Sequence, residues 1–141
     1  MERERKLNTL LAQAGVKTDT TTGALTTPLH FSTTYQHPEF GQSTGYDYTR
    51  TKNPTRASLE ETLAAIESAD YALATSSGMS AIVLAFSAFP VGSKVLAVRD
   101  LYGGSFRWFA QAEAEGRFAF SYANTEEELL NNLTEDIDIV Y

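Results

Sequence analysis

Cysteine is absent from the 141 residues. This excludes a disulfide framework, a thiolate metal site and a cysteine nucleophile within the chain, and it says little about compartment. Histidine is nearly absent as well. Only His30 and His37 occur, seven positions apart in a polar stretch, which is too few for a zinc site, and no Ser/His/Asp arrangement forms around them. Long apolar runs are missing: the longest, Ala81 to Phe86, falls far short of the ~20 residues that span a bilayer. Cations are outnumbered, 11 Lys and Arg against 18 Asp and Glu, for a net charge of −7. Such a chain is not expected to bind nucleic acid or anionic membranes in general, although a local basic cluster still suits one phosphate group. The start, Met1 to Lys6, carries both signs of charge, and Leu7 to Ala12 is too short and polar for a signal sequence. A soluble cytoplasmic protein is the expectation.

What is present is ordinary for a globular chain: 43% apolar and 21% charged residues, at a length of about one domain. Leu7, Leu10, Leu11 and Ala14 recur at helical spacing and Gly15 ends the pattern, which predicts a short amphipathic helix. From Val16 to Asn53 periodicity disappears. Threonine, serine, glycine and proline dominate there, yet Phe31, Tyr35, Phe40, Tyr46 and Tyr48 argue against plain disorder. An extended arm lying on another surface fits this composition. At Asn53-Pro54 the character changes. Asn53 reads as an N-cap and Pro54 as a first helical residue, with Leu59, Leu63 and Ile66 on one face. Tyr71 to Thr75 reads as a strand and Met79 to Phe89 as an apolar helix. Lys94 to Val98 follows as a strand and Ser105 to Glu115 as a helix. Arg117 to Tyr122 is a further strand, Glu126 to Leu133 a helix, and Asp136 to Tyr141 a last strand. This alternation predicts an α/β layered fold behind the arm.

Three segments carry candidate chemistry. Ser76-Ser77-Gly78-Met79 joins a strand to a helix, where free amides and hydroxyls suit an anion; read blandly, it is a helix cap. It is neither a P-loop nor a dinucleotide fingerprint, since no Gly-Lys-Ser/Thr and no G-x-G-x-x-G occurs. Tyr102-Gly103-Gly104-Ser105 follows the next strand. Its tyrosine either stacks on a planar ligand or merely covers the sheet end. Tyr46 to Arg56 is the densest polar cluster. There Arg50 suits a phosphate or carboxylate, and the alternative is a solvated arm with surface ion pairs. Glu126, Glu127 and Glu128 read as the acidic first turn of a helix, not as a carboxylate site.

Taken together, Tyr48-Thr-Arg50, Asn53-Pro-Thr-Arg56, Ser77-Gly-Met-Ser-Ala81 and Asp100-Leu-Tyr-Gly-Gly-Ser-Phe-Arg107 resemble the Cys/Met-metabolism family of pyridoxal-phosphate enzymes, over essentially the whole chain. The resemblance implies a fold-type-I transferase: residues 1–54 as an N-terminal arm, and 55–141 as the front part of the α/β large domain. It implies that Ser77, Gly78 and Met79 hold the cofactor phosphate and that Tyr102, the candidate catalytic residue, stacks on the pyridine ring. Tyr48 and Arg50 would reach the phosphate of a neighbouring subunit. A homodimer would then be the minimum unit, usually within a tetramer, with small sulfur amino acids as substrates. The cofactor is an electron sink for carbanions beside the amino nitrogen, which permits replacement or elimination at the β or γ carbon. Arg107 matches a family arginine and takes a supporting part, and Tyr46 and Asp47 lie where substrate is expected.

The family's cofactor-linking lysine lies well C-terminal to this region. Lys6, Lys17, Lys52 and Lys94 are the only lysines here, and none sits in that motif. The chain is therefore expected to be an N-terminal fragment that lacks the chemistry by itself, with an open sheet edge. Gly104 stands where methionine γ-lyases of the family carry cysteine. Tyr102-Gly-Gly-Ser with Arg107 looks closer to the cystathionine γ-synthases and bacterial cystathionine lyases, with the synthase preferred and a β- or γ-lyase or an O-acetylhomoserine sulfhydrylase of the family as the alternatives. Two other readings stay open: a non-catalytic phosphate-binding module, and a plain structural domain in which Ser77-Gly78 only caps a helix.

Overall fold

The computed structural model describes residues 7–17 and 19–141. The mixed-charge start, Met1 to Lys6, and Thr18 of the threonine-rich patch lie outside the described residues. The chain forms two compact units, residues 1–74 and 75–141, and each is taken by itself.

In the first unit, helix α1 (Leu7–Ala12) packs against helix α2 (Pro54–Glu67). Between them the arm is irregular, tied by isolated antiparallel bridges of Val16 to Thr26 and of Thr34 to Tyr48. α2 begins where Asn53-Pro54 predicts. The Asn53 side chain accepts from the amides of Thr55 and Arg56, and Pro54 gives up an amide that has no partner in a first turn. Ser68 closes α2 in the left-handed region at φ 54°. The strand expected over Tyr71 to Thr75 does not form. The Ala74 amide donates to Glu60 Oε1 at 3.0 Å rather than to a neighbouring strand, and Tyr71 is 88% exposed. An extended run becomes a strand only where a ladder partner exists, and none of the described residues supplies one.

The second unit is a parallel sheet with helices. Helix α3 (Gly78–Ser87) leads into strand β1 (Ser93–Val98), helix α4 (Gly103–Ala114), strand β2 (Phe118–Ala123), helix α5 (Glu126–Asn131) and strand β3 (Ile139–Val140). The sheet order is β2-β1-β3, with Ser93 opposite Phe118 and Val95 opposite Ile139. The α/β layering expected behind the arm is thus observed. β1 is central, and its Val95, Leu96 and Ala97 are fully buried, as a strand covered on both faces requires. β3 is shorter than expected: the Ile137 amide turns back to Thr134 O at 3.1 Å, so residues 134–137 form a turn, and pairing with β1 starts only at the Asp138 amide, which donates to Lys94 O at 3.0 Å. Thr125 caps α5 by accepting from the Glu128 amide, with Glu126, Glu127 and Glu128 in its first turn, as their place at a helix dipole predicts.

The core of this unit is aromatic. Phe109 is fully buried, stacks on Phe120 at 4.5 Å and meets Tyr141 edge-on at 5.0 Å. Phe86 of α3 meets Trp108 at 5.1 Å and Phe118 at 5.3 Å, both edge-on. Edge-to-face pairs match the positive ring edge to the negative face, so this cluster fixes α3 and α4 on the sheet. No helix among the described residues is long and apolar enough to cross a membrane. Nor do those residues group three or more His, Asp or Glu so as to hold a metal ion.

Candidate functional site

In the second unit, two helix N-termini meet at the end where β1 and β3 finish. Ser77 is the N-cap of α3 with extended backbone, φ −161° and ψ 159°, and its Oγ accepts from the Ser80 amide at 3.1 Å. Gly78 and Met79 are the first two residues of the helix, so their amides have no acceptor within it. Tyr102 stands at the N-cap of α4 without a side-chain capping bond. The Met79 sulfur lies 4.0 Å from Ser105 Oγ in the first turn of α4, and that hydroxyl pairs with the Tyr141 hydroxyl at 3.0 Å. One contact line therefore joins the start of α3, the start of α4 and the residue after β3. In parallel sheets ligands bind outside the carboxyl ends of the strands; of the expected site residues, Ser77, Gly78, Met79 and Tyr102 all share that end.

Two features suit a phosphate and a planar ring. Beyond its chain neighbours and its own helix backbone, a Cβ built on Gly78 would meet nothing within 4 Å, so this side of the backbone is open to a close approach. The donor set is the two unpaired amides at the positive end of an aligned helix dipole. Tyr102 is 68% exposed, and its ring lies over Gly104: a Cβ there would sit 2.3 Å from Tyr102 Cε1. Glycine at 104 is thus what lets the ring take this position. Ser77 caps the helix and its hydroxyl pairs with Ser80 Oγ at 3.0 Å, so the bland reading of the turn as a helix cap holds. Arg107 lies near this turn, 3.7 Å from a Cβ built on Gly103. The residues present fit a phosphorylated aromatic cofactor.

Tyr48 and Arg50 belong to the first unit and are brought together there, with the Arg50 guanidinium 5.0 Å from the Tyr48 ring centroid. Neighbouring Lys52 lies 5.4 Å from the Tyr46 ring. Asp47 takes Ser43 Oγ and the His37 imidazole at 2.7 Å. The Ser43 hydroxyl, then His37, hold its carboxyl below the usual carboxylate range.

Sequence reasoning missed two sets of residues. The first is Ser105 and Tyr141, which link the start of α4 to the residue after β3 across 36 positions. Only the placement of a serine after Gly103-Gly104 hinted at the former, and nothing hinted at the latter. The second is Asn53 with Arg56, read only as a cap and as part of a basic cluster. Asn53 is 7% exposed. Its Nδ2 also lies 3.1 Å from His30 O, 3.1 Å from Thr49 Oγ1 and 3.2 Å from Tyr35 OH, three acceptors within reach of its two hydrogens.

The profile of the family described as Cys/Met metabolism PLP-dependent enzyme matches residues 8–141. The chain belongs to this family. It is 48% identical over 107 residues to the cystathionine gamma-synthase of Haemophilus influenzae, covering 76% of this chain and 29% of that protein. To the cystathionine gamma-synthase/O-acetylhomoserine (thiol)-lyase of Bacillus subtilis it is 40% identical over 122 residues, 86% of this chain and 33% of that protein. Cystathionine lyases are among the further relatives. The crystal structure of cystathionine gamma synthase from Xanthomonas oryzae pv. oryzae in complex with cystathionine superposes with a TM-score of 0.88 at 35% identity, over 98% of this chain and 36% of that one. The chain spans about a third of the length of these relatives. Family membership makes pyridoxal phosphate the cofactor, consistent with the open amides of α3.

Proposed function

We propose that this chain is the arm and front part of the cofactor domain of a trans-sulfuration enzyme of cystathionine γ-synthase type, homodimeric at least and usually tetrameric, in the cytoplasm. The reaction is a γ-replacement: the ester bond between the γ carbon and oxygen of an acylated homoserine breaks, the cysteine thiol gives up its proton as its sulfur bonds to the γ carbon, and the acyl group leaves as a carboxylate. The observation that carries this reading is the junction of two helix starts at Met79 and Ser105, which supports it by leaving the first amides of α3 and an exposed tyrosine at one end of the sheet. The identity to synthases in sequence supports the choice of reaction.

In this reading the amides of Gly78 and Met79 bind the phosphate and Ser77 fixes their direction by capping. Tyr102 holds the ring flat, so that the bond to be broken can align with the π-system. When bound, the cofactor supplies an electron sink for carbanions beside the amino nitrogen. Tyr48 and Arg50 complete the phosphate site of a neighbouring subunit, Arg50 through its planar fork. None of the chain's four lysines lies in the family's cofactor-linking motif, so these residues by themselves bind rather than turn over substrate.

A cystathionine lyase is the second reading, favoured by the lyases among the relatives. The test is the native gene product reduced with borohydride, weighed intact, and assayed with acylated homoserine plus cysteine and with cystathionine alone. Synthesis of cystathionine by a protein carrying the reduced cofactor adduct is the expected result. Consumption of cystathionine without synthesis moves the assignment to the lyase. A bare 15.5 kDa chain without adduct overturns catalysis and leaves a phosphate-binding remnant.

A further inference from the structure

The segment Asn53-Pro-Thr-Arg56 has no part in the chemistry just described, yet its last residue makes an unusual set of contacts. Arg56 Nη2 donates to Thr51 O at 2.7 Å, and Nη1 lies 3.4 Å from both Thr49 O and Arg50 O. Its Nε faces Glu60 Oε1 at 3.5 Å, one helical turn on. One guanidinium thus gathers three consecutive carbonyls while a carboxylate steadies it from behind. Three peptide oxygens turned to one point leave few conformations for the residues between them. The turn is closed further by the amides of Thr51 and Lys52, both 3.0 Å from Tyr48 O. It is tied to the arm by the Thr34–Tyr48 bridge and by the Thr49 hydroxyl, which donates to Ser32 O. The residues carried on this turn are Tyr48 and Arg50.

We propose that Arg56, braced by Glu60, is a positioning residue that sets the 48–51 turn and with it the pairing of the Arg50 guanidinium with the Tyr48 ring. The use of that pair for phosphate rests on the function proposed above; the positioning itself does not. Lysine cannot replace arginine here. A single ammonium on a flexible stem reaches one or two carbonyls and lacks the rigid fork. The arrangement also accounts for an arginine at the third residue of a helix, a place where the dipole disfavours a cation: the carbonyls and Glu60 offset that cost.

The test uses the 141-residue chain, isotope-labelled for nuclear magnetic resonance, as wild type, Arg56→Lys and Glu60→Gln. Tyr48→Leu calibrates the ring-current shift of the Arg50 side chain. In Arg56→Lys the Arg50 ring-current shift falls by about half or more and the amides of 49–51 gain fast motion, while α2 amides keep their shifts. Glu60→Gln gives a smaller change of the same kind. Retention of both the ring-current shift and the order at 49–51 in Arg56→Lys overturns the proposal. If Arg56→Lys loses α2 itself, Glu60→Gln decides: a loosened turn on an intact α2 supports positioning, and an unchanged turn overturns it. Inorganic phosphate added to the same samples separates the two claims. The expected result is a response at Arg50 in wild type, weakened roughly tenfold in Arg56→Lys. No response in wild type counts against the phosphate role of Tyr48 and Arg50, and the turn measurements then judge the positioning alone.

Discussion

Replacing Gly104 by alanine isolates what the Tyr102 ring does. The added Cβ would lie 2.3 Å from Tyr102 Cε1, 3.0 Å from Cδ1 and 3.1 Å from Cζ. Ordinary carbon contacts are about 3.5–4.0 Å, so the near edge of the ring must retreat by roughly 1.2–1.7 Å. That is a swing of about 20–30° about χ1, and an off-rotamer torsion of this size costs ~0.5–1.5 kcal/mol. Against this, alanine at a helical position is favoured over glycine by ~0.5–1 kcal/mol, and by less at the second residue of a helix. The two nearly cancel. Gly104→Ala therefore changes stability by less than about 1 kcal/mol in denaturant melts followed by Trp108 fluorescence, while moving the ring. Proton–proton contacts between the Tyr102 ring and residue 104 should weaken and new ring contacts should appear. Because ring stacking adds ~0.5–1.5 kcal/mol beyond burial, affinity for a pyridoxine phosphate probe falls roughly two- to tenfold. Unchanged ring contacts at unchanged affinity would refute the reasoning, as would a stability loss above about 3 kcal/mol, which would make Gly104 a packing residue.

Asn53→Ala removes a cap and both hydrogens of the Nδ2 amide from their acceptors, and should cost the first unit about 2–4 kcal/mol in chemical denaturation. Asn53→Asp keeps the cap but turns an anion toward His30 O, and should recover only part of that loss. Phe109→Ala should destabilise the second unit by about 3–5 kcal/mol, read from the same Trp108 signal. The Lys94 hydrogen bond, then that of Thr134, holds the Asp136 carboxyl at about 2, below its ordinary 3.8. A carboxyl depressed in the folded state stabilises above its unfolded value and ceases to do so as pH falls toward the folded one. Acid titration of wild type should therefore lose stability between about pH 4 and pH 2. Asp136→Asn should flatten that limb, and added salt should shrink the difference because the pair is exposed.

How much of this was legible depended on whether the cause was local. The start of α2 is written in Asn53-Pro54, because a capping amide and a residue without an N–H both act within one turn. β1 is written in Lys94 to Val98, since a strand covered on both faces needs an unbroken apolar run. Tyr71 to Thr75 has the composition of a strand and is not one, because pairing is a property of neighbours and no composition supplies them. The resemblance pointed to Ser77, Gly78, Met79 and Tyr102 by motif, and the structure adds that a Met79–Ser105 contact joins their helices. Ser105 with Tyr141 stayed hidden, being a side-chain pair far apart in sequence. So did the Arg56 clamp, whose partners are peptide carbonyls that every residue possesses.

In the proposed function the first amides of α3 seat the cofactor phosphate. The direct measurement is a titration of the labelled chain with pyridoxine phosphate, which forms no imine with surface lysines, beside pyridoxine lacking the phosphate. Saturable downfield shifts at the Gly78 and Met79 amides are expected with the phosphorylated compound only, accompanied by a change at the Tyr102 ring. Equal responses to both compounds, or shifts elsewhere that leave Gly78 and Met79 unmoved, would contradict it.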